Sequence, residues 1–169
     1  MKMLLNILAV FLSFASIVPL CSLEPVVPQS SPKDYLDYHN DIRKDVWSSP
    51  LKWDPQLETY ARNFLNKHKM DCLGRKPFIA SGIGWNIARN WGNRTFSGTD
   101  AVWKWVIQRE NYDKVTNTCV RGDCRGYTQV VWKDSVRLGC ARVRCNNDIG
   151  TMVRCNYVPP GNIPGQRPF

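Results

Sequence analysis

Few side chains in this 169-residue sequence are equipped for chemistry. It has two histidines, His39 and His68, and seven cysteines. Five of the cysteines, Cys119, Cys124, Cys140, Cys145 and Cys155, crowd into the stretch 119–160, while Cys72 stands apart and Cys21 lies in an apolar leader. A cysteine can serve as nucleophile, zinc ligand or cross-link. No paired C-x-x-C spacing supports zinc. Six cysteines remain once the leader is removed, and an even count in a secreted chain argues for disulfides, with fifteen pairings open to six cysteines. Oxidised sulfur is no nucleophile. The sequence also lacks a G-x-S-x-G elbow, an H-E-x-x-H motif and a phosphate loop. His68, between Lys67 and Lys69, reads as part of a solvated or half-buried helix face. His39 falls on an apolar helix face, where a hydrogen-bonded core imidazole is the ordinary occupant.

The elements that must position these groups follow from local signals. Lys2 and the apolar run Leu4 to Leu20 form a secretory signal peptide, assigned to residues 1–23, with a cut between Cys21 and Glu24. Residues 24–31 are a Pro- and Ser-rich lead-in. Ser31-Pro32 starts a helix that carries Leu36, His39, Ile42, Arg43 and Val46 at helical spacing and ends near Trp47. Asp54-Pro55 starts a second helix with Leu57, Tyr60, Ala61, Phe64 and Leu65 on one face, closing near Met70. Residues 83–91 read as a strand. Thr99-Asp100 caps a third helix reaching toward Arg109. Leu138 to Arg144 and Thr151 to Tyr157 form a hairpin, and Cys145 and Cys155 flank its turn closely enough to staple it. Helices first and a hairpin last give an α+β fold in one domain. Lysine and arginine exceed aspartate and glutamate by 23 to 14, a net charge of +9. Outside the cell that balance disfavours nucleic acid. It suits polyanionic wall polysaccharide or an anionic membrane surface, held by attraction that salt weakens, or simple solubility. The expected state is a monomer.

Three motifs in order carry a resemblance: Gly126-Tyr127-Thr128-Gln129-Val130-Val131-Trp132, Gly139-Cys140-Ala141 and Cys155-Asn156-Tyr157-Val158-Pro159-Pro160-Gly161-Asn162, with Tyr35-Leu36-Asp37-Tyr38-His39-Asn40 upstream. They resemble the plant pathogenesis-related proteins of group one, within the superfamily of cysteine-rich secretory proteins. The resemblance implies a three-layer α-β-α sandwich over residues 32–158 and disulfides Cys72–Cys140, Cys119–Cys124 and Cys145–Cys155. It also implies a defence role with sterol or lipid as ligand, through the segment Asn111 to Cys119.

The resemblance further implies a cleft where two histidines and two glutamates converge, and where some members hold a divalent metal. Here His39 takes the first histidine position. Trp85 replaces a glutamate in Gly84-Trp85-Asn86-Ile87-Ala88, Gln108 replaces the second after Trp105-Val106-Ile107, and Gly126 stands where the second histidine precedes Tyr-Thr-Gln. An indole cannot ligate a cation and an amide is no general base at neutral pH. The expectation is therefore a degenerate cleft with no metal, no cofactor and no enzyme activity. The alternatives are a hydrolase with an unrecognised site or the precursor of a signalling peptide. The last reading rests on the Pro-rich tail 159–169, which resembles a peptide that some relatives release, with the junction here at Val158-Pro159. Asn93-Arg94-Thr95 is a glycosylation sequon. Arg121-Gly122-Asp123, an adhesion-type tripeptide, reads as coincidence.

Overall fold

A computed structural model describes residues 30–70, 72, 82–92, 95–146 and 150–169. The signal peptide expected at 1–23, most of the lead-in expected at 24–31 and the Asn93 sequon lie outside the described residues. The α1 helix, Pro32–Lys44, opens on a reciprocal cap: Ser31 Oγ accepts from Asp34 N–H while the Asp34 carboxylate accepts from Ser31 N–H. It stops three residues short of the predicted end. Trp47 takes φ 59°, outside helical space, and its side chain is 96% exposed. The β1 strand, Lys52–Trp53, leads into α2, Pro55–His68, capped by Asp54, whose carboxylate accepts from Gln56 N–H and Leu57 N–H. The β2 strand spans Gly84–Trp91. The α3 helix, Gly98–Val106, is capped by Ser97 rather than by Thr99-Asp100. Ser97 Oγ reaches Asp100 N–H at 3.0 Å, which places Asp100 at the third helical position and Thr99 inside the first turn. A 3-10 turn, Ile107–Asn111, and a small hairpin of β3, Tyr112–Asp113, and β4, Thr118–Cys119, follow. The short apolar run after Cys124 becomes α4, Arg125–Val130. The terminal hairpin is β5, Arg137–Arg144, and β6, Gly150–Val158.

The main sheet runs β1-β5-β6-β2, with β1 parallel to β5 and the other pairs antiparallel. Strand alternation divides its faces. Leu138, Cys140, Val153, Cys155 and Tyr157 pack with Tyr35, Val102, Trp105 and Val130 from α1, α3 and α4. Ala141 and Met152 pack with Ala61 and Leu65 of α2 on the other face. The result is the expected three-layer sandwich. Gly139 lets α2 cross close over β5, since a Cβ there would sit 2.2 Å from Glu58 N. Arg43, fully buried, ties the first layer together: Nε donates to Ser49 O, Nη1 to Val130 O and Trp132 O, and Nη2 to Ser135 O.

All six described cysteines are bridged, but two pairings differ from those the resemblance implied. The bonds are Cys72–Cys145, Cys119–Cys124 and Cys140–Cys155. The sheet register explains the change. Cys140 and Cys155 stand directly opposite each other on β5 and β6 and point to the same face. Cys145 continues the alternation onto the α2 face, where Cys72 lies just past the end of that helix. Cys145 and Cys155 are thus on opposite faces and cannot staple the hairpin turn.

Candidate functional site

The four positions aligned for a metal cleft do not converge. His39 is fully buried on α1. Its Nδ1 lies 2.7 Å from Tyr35 O and its Nε2 2.8 Å from the Tyr157 hydroxyl. A carbonyl can only accept, so Nδ1 carries the proton and Nε2 accepts from Tyr157 O–H. The Tyr157 oxygen in turn accepts from Asn86 Nδ2 at 3.3 Å. Burial is the main cause that depresses the His39 pKa to about 4. Both ring nitrogens are committed, and His39 does not line the cleft. That corrects its assignment to the cleft. His68 stacks on Phe64 within α2, across the sheet from His39.

Trp85 borders the cleft from the edge strand, but its ring belongs to the α2 face. It lies 5.5 Å from the guanidinium of buried Arg154, which also sits 4.0 Å above Phe64 and 5.8 Å from Tyr60. A residue in this place supplies a wall for a buried cation. Only Gln108 and Gly126 meet: Gly126 N–H donates to Gln108 Oε1 at 2.9 Å. A Cβ on Gly126 would fall 2.6 Å from that oxygen, so the Gln108 amide fills the space a side chain at 126 would claim. Neither residue offers an imidazole or a carboxylate. Among the described residues no group of three His, Cys, Asp or Glu could hold a metal. A catalytic zinc takes three protein donors, and the residues here do not fit one.

What the cleft presents is amide and aromatic surface. A cavity of about 530 Å³ is lined by residues that include Gly84, Asn86, Gln108, Gln129 and Gly161. Gln129 is braced on both sides, with Oε1 accepting from Gly161 N–H at 3.0 Å and Nε2 donating to Ser135 Oγ at 3.3 Å. Asn162 Oδ1 accepts from Thr128 Oγ1 and its Nδ2 donates to Arg125 O. Both amides sit inside the motifs that carry the resemblance, where nothing local in the sequence marks them as site residues. At the rim the two oxygens of Asp123 accept from Arg125 Nε and Nη2, at 2.9 and 3.2 Å. That hydrogen bonding is the main cause that lowers the Asp123 pKa. The carboxylate of the adhesion-type tripeptide is therefore engaged within its own loop. Amides and an internal ion pair can bind and orient a ligand. They do not exchange protons at neutral pH.

The C-terminal tail is docked. Val158 still pairs with Arg137 in the sheet, and its carbonyl accepts from Val136 N–H. Ser135 Oγ donates to Pro159 O, Lys133 N–H to Pro168 O, and Asn117 Nδ2 to Gln166 O. Phe169 packs edge-on against Tyr112 and Tyr127, with ring centroids 5.9 and 6.4 Å away. Beside it, the hairpin of β3 and β4 is polar: the Asp113 carboxylate accepts from Val115 N–H and Thr116 Oγ1. The groove between hairpin and tail measures about 200 Å³.

Comparison with known proteins agrees with this architecture. The pattern of the cysteine-rich secretory protein family matches residues 36–157. Pathogenesis-related protein 1 of Arabidopsis thaliana is 47% identical over 145 residues, 86% of each chain. Pathogenesis-related leaf protein 6 of Solanum lycopersicum is 49% identical over 142 residues, 83% of this chain and 85% of the relative. Among solved structures, venom allergen-like protein 4 of Schistosoma mansoni superposes with a TM-score of 0.65 at 26% identity, covering 81% of this chain and 92% of its own. NaASP2, a structure determined with Zn2+, gives 0.66 at 20% identity, covering 86% and 88%, and so shares the fold. The chain belongs to the cysteine-rich secretory protein family.

Proposed function

We propose that this chain is a secreted defence protein of the pathogenesis-related type that acts by binding and not by catalysis. The observation that carries this reading is the state of the cleft. His39 is buried with both nitrogens committed, and Gln108 and Gly126 supply neither carboxylate nor imidazole where the resemblance implies them. The plant relatives named as pathogenesis-related proteins support the defence role. Three disulfides support an oxidising, extracellular setting. No helix among the described residues is long and apolar enough to cross a membrane. The excess of basic residues suits an anionic wall or membrane surface as a place of accumulation.

Sterol or lipid remains the ligand class that the resemblance implies. The polar hairpin at 111–119 and its groove of about 200 Å³ argue against that segment as the site. Drug-sized ligands occupy pockets of roughly 300–1,000 Å³. The cleft is in that range and favours itself as the binding site. The test is twofold: hydrolase screens on the refolded protein, and saturable binding of a labelled sterol with and without chelator. Turnover abolished by a single substitution in the cleft would overturn the reading. Release of the tail as a peptide, the third reading, is disfavoured by its docking and by the sheet pairing at Val158.

A further inference from the structure

We propose that the groove along the open edge of β2 binds an extended, uncharged, hydroxyl-rich ligand, a neutral oligosaccharide. The proposal rests on the reading that the cleft binds without catalysing. The cleft of about 530 Å³ adjoins a second cavity of about 490 Å³, and the two share Ile87, Trp105 and Gln108. Each is large enough for a small ligand. Joined end to end along one strand edge, they suit a chain of several units better than one compact molecule.

The polar groups in this groove are set by their internal bonds. A backbone N–H needs an acceptor, so Gly126 fixes Gln108 with Oε1 inward. The two N–H bonds of Gln108 Nε2 are left with no partner among the described residues. Asn86 is held the other way round, with Nδ2 donating to Gly126 O at 2.8 Å and to the Tyr157 hydroxyl. Its Oδ1 is left as an acceptor without a partner among the described residues. A fixed donor and a fixed acceptor in one cleft match hydroxyls, which do both. A carboxylate can use only the donor. The ionised groups of the lining are the Asp123–Arg125 pair, which neutralises itself, and Lys104, whose Nζ donates to Arg89 O at 3.3 Å. The apolar part of the groove comes from Ile87, Trp105, Ile107 and Trp103. Trp103 is 53% exposed, and its indole offers a flat face for the C–H surface of a sugar ring.

The test titrates the intact secreted protein with laminarihexaose, cellohexaose and chitohexaose, following tryptophan emission. Oligogalacturonate and a labelled sterol serve as comparison ligands. The expected result is saturable binding of at least one neutral hexasaccharide with Kd at or below about 1 mM. Gln108→Glu keeps the oxygen that Gly126 requires and removes the outward donor. It should weaken that binding about tenfold while leaving Tm unchanged, and Trp103→Ala should weaken it as well. Trp47→Gly, far along the chain at an exposed turn, should have no effect. Absence of any response to all three sugars at about 5 mM, preference for oligogalacturonate, or full binding by Gln108→Glu would each overturn the proposal. Sterol binding without sugar binding would sink this inference and leave the protein a binder. Silence from every ligand would take down both.

Discussion

The cleft and the C-terminal tail lie side by side and have been treated in opposite ways. In the cleft the positions that could carry ionisable donors hold Gln108 and Gly126, and the one nearby histidine is sealed beneath Tyr157 and Asn86. In the tail Gly161, Asn162, Gln166, Pro168 and Phe169 are fastened, by Gln129, Thr128, Arg125, Asn117, Lys133 and two tyrosine rings. The cleft wall itself depends on the tail, because Gln129 is oriented by Gly161 N–H. A region rich in Pro and Gly is here part of the scaffold, and the cleft expected to be degenerate is a polar, structurally fixed surface.

The sharpest way to break this contrast is to delete residues 161–169. Several partly buried hydrogen bonds, at about 1 kcal/mol each, and the aromatic cluster around Phe169, about 1 kcal/mol more, would be lost. We expect a loss of about 5 kcal/mol in denaturant melts, and a tail that proteases leave attached in the folded protein. A truncated chain as stable as the parent would make the tail a passenger.

The next effect comes from the covalent frame. Removing Cys72–Cys145, which closes the longest loop with a separation of 73 residues, should cost about 4 kcal/mol. Peptide mapping without reduction should return Cys72–Cys145 and Cys140–Cys155. Recovery of Cys72–Cys140 or Cys145–Cys155 would contradict the facing of Cys140 and Cys155 across β5 and β6.

His39 sharpens the comparison through pH. Its folded pKa, about 4, lies below the unfolded value of about 6.5. The unfolded chain therefore gains a proton first as pH falls. Stability that is complete above pH 6.5 declines from there toward pH 4, by about 3 kcal/mol in total. Replacing His39 with Gln should flatten that part of the stability–pH curve. An unchanged slope would place the titrating group elsewhere.

Much of the fold was legible in the residues because its signals are local. Ser31-Pro32 and Asp54-Pro55 announced two helices, and the alternation in 138–144 and 151–157 announced the hairpin. The disulfide pairing was not legible from spacing, since it depends on which face of the sheet each cysteine occupies. That in turn depends on a register set by β2, β5 and β6 together. The site was legible only as a set of substitutions. Nothing in the local sequence says that Trp85 turns to the α2 face to cover Arg154, or that Gln108 reaches the start of α4. Both depend on contacts between segments far apart in the chain.

The smallest expected effect is also the most direct test of the central claim, that this cleft keeps the family's fold and holds no metal. Protein purified from zinc-supplemented medium and dialysed should contain no stoichiometric zinc. Zinc titration should release no binding heat, and chelator should leave Tm unmoved. One zinc retained per chain, with Tm falling on chelation, would contradict the account.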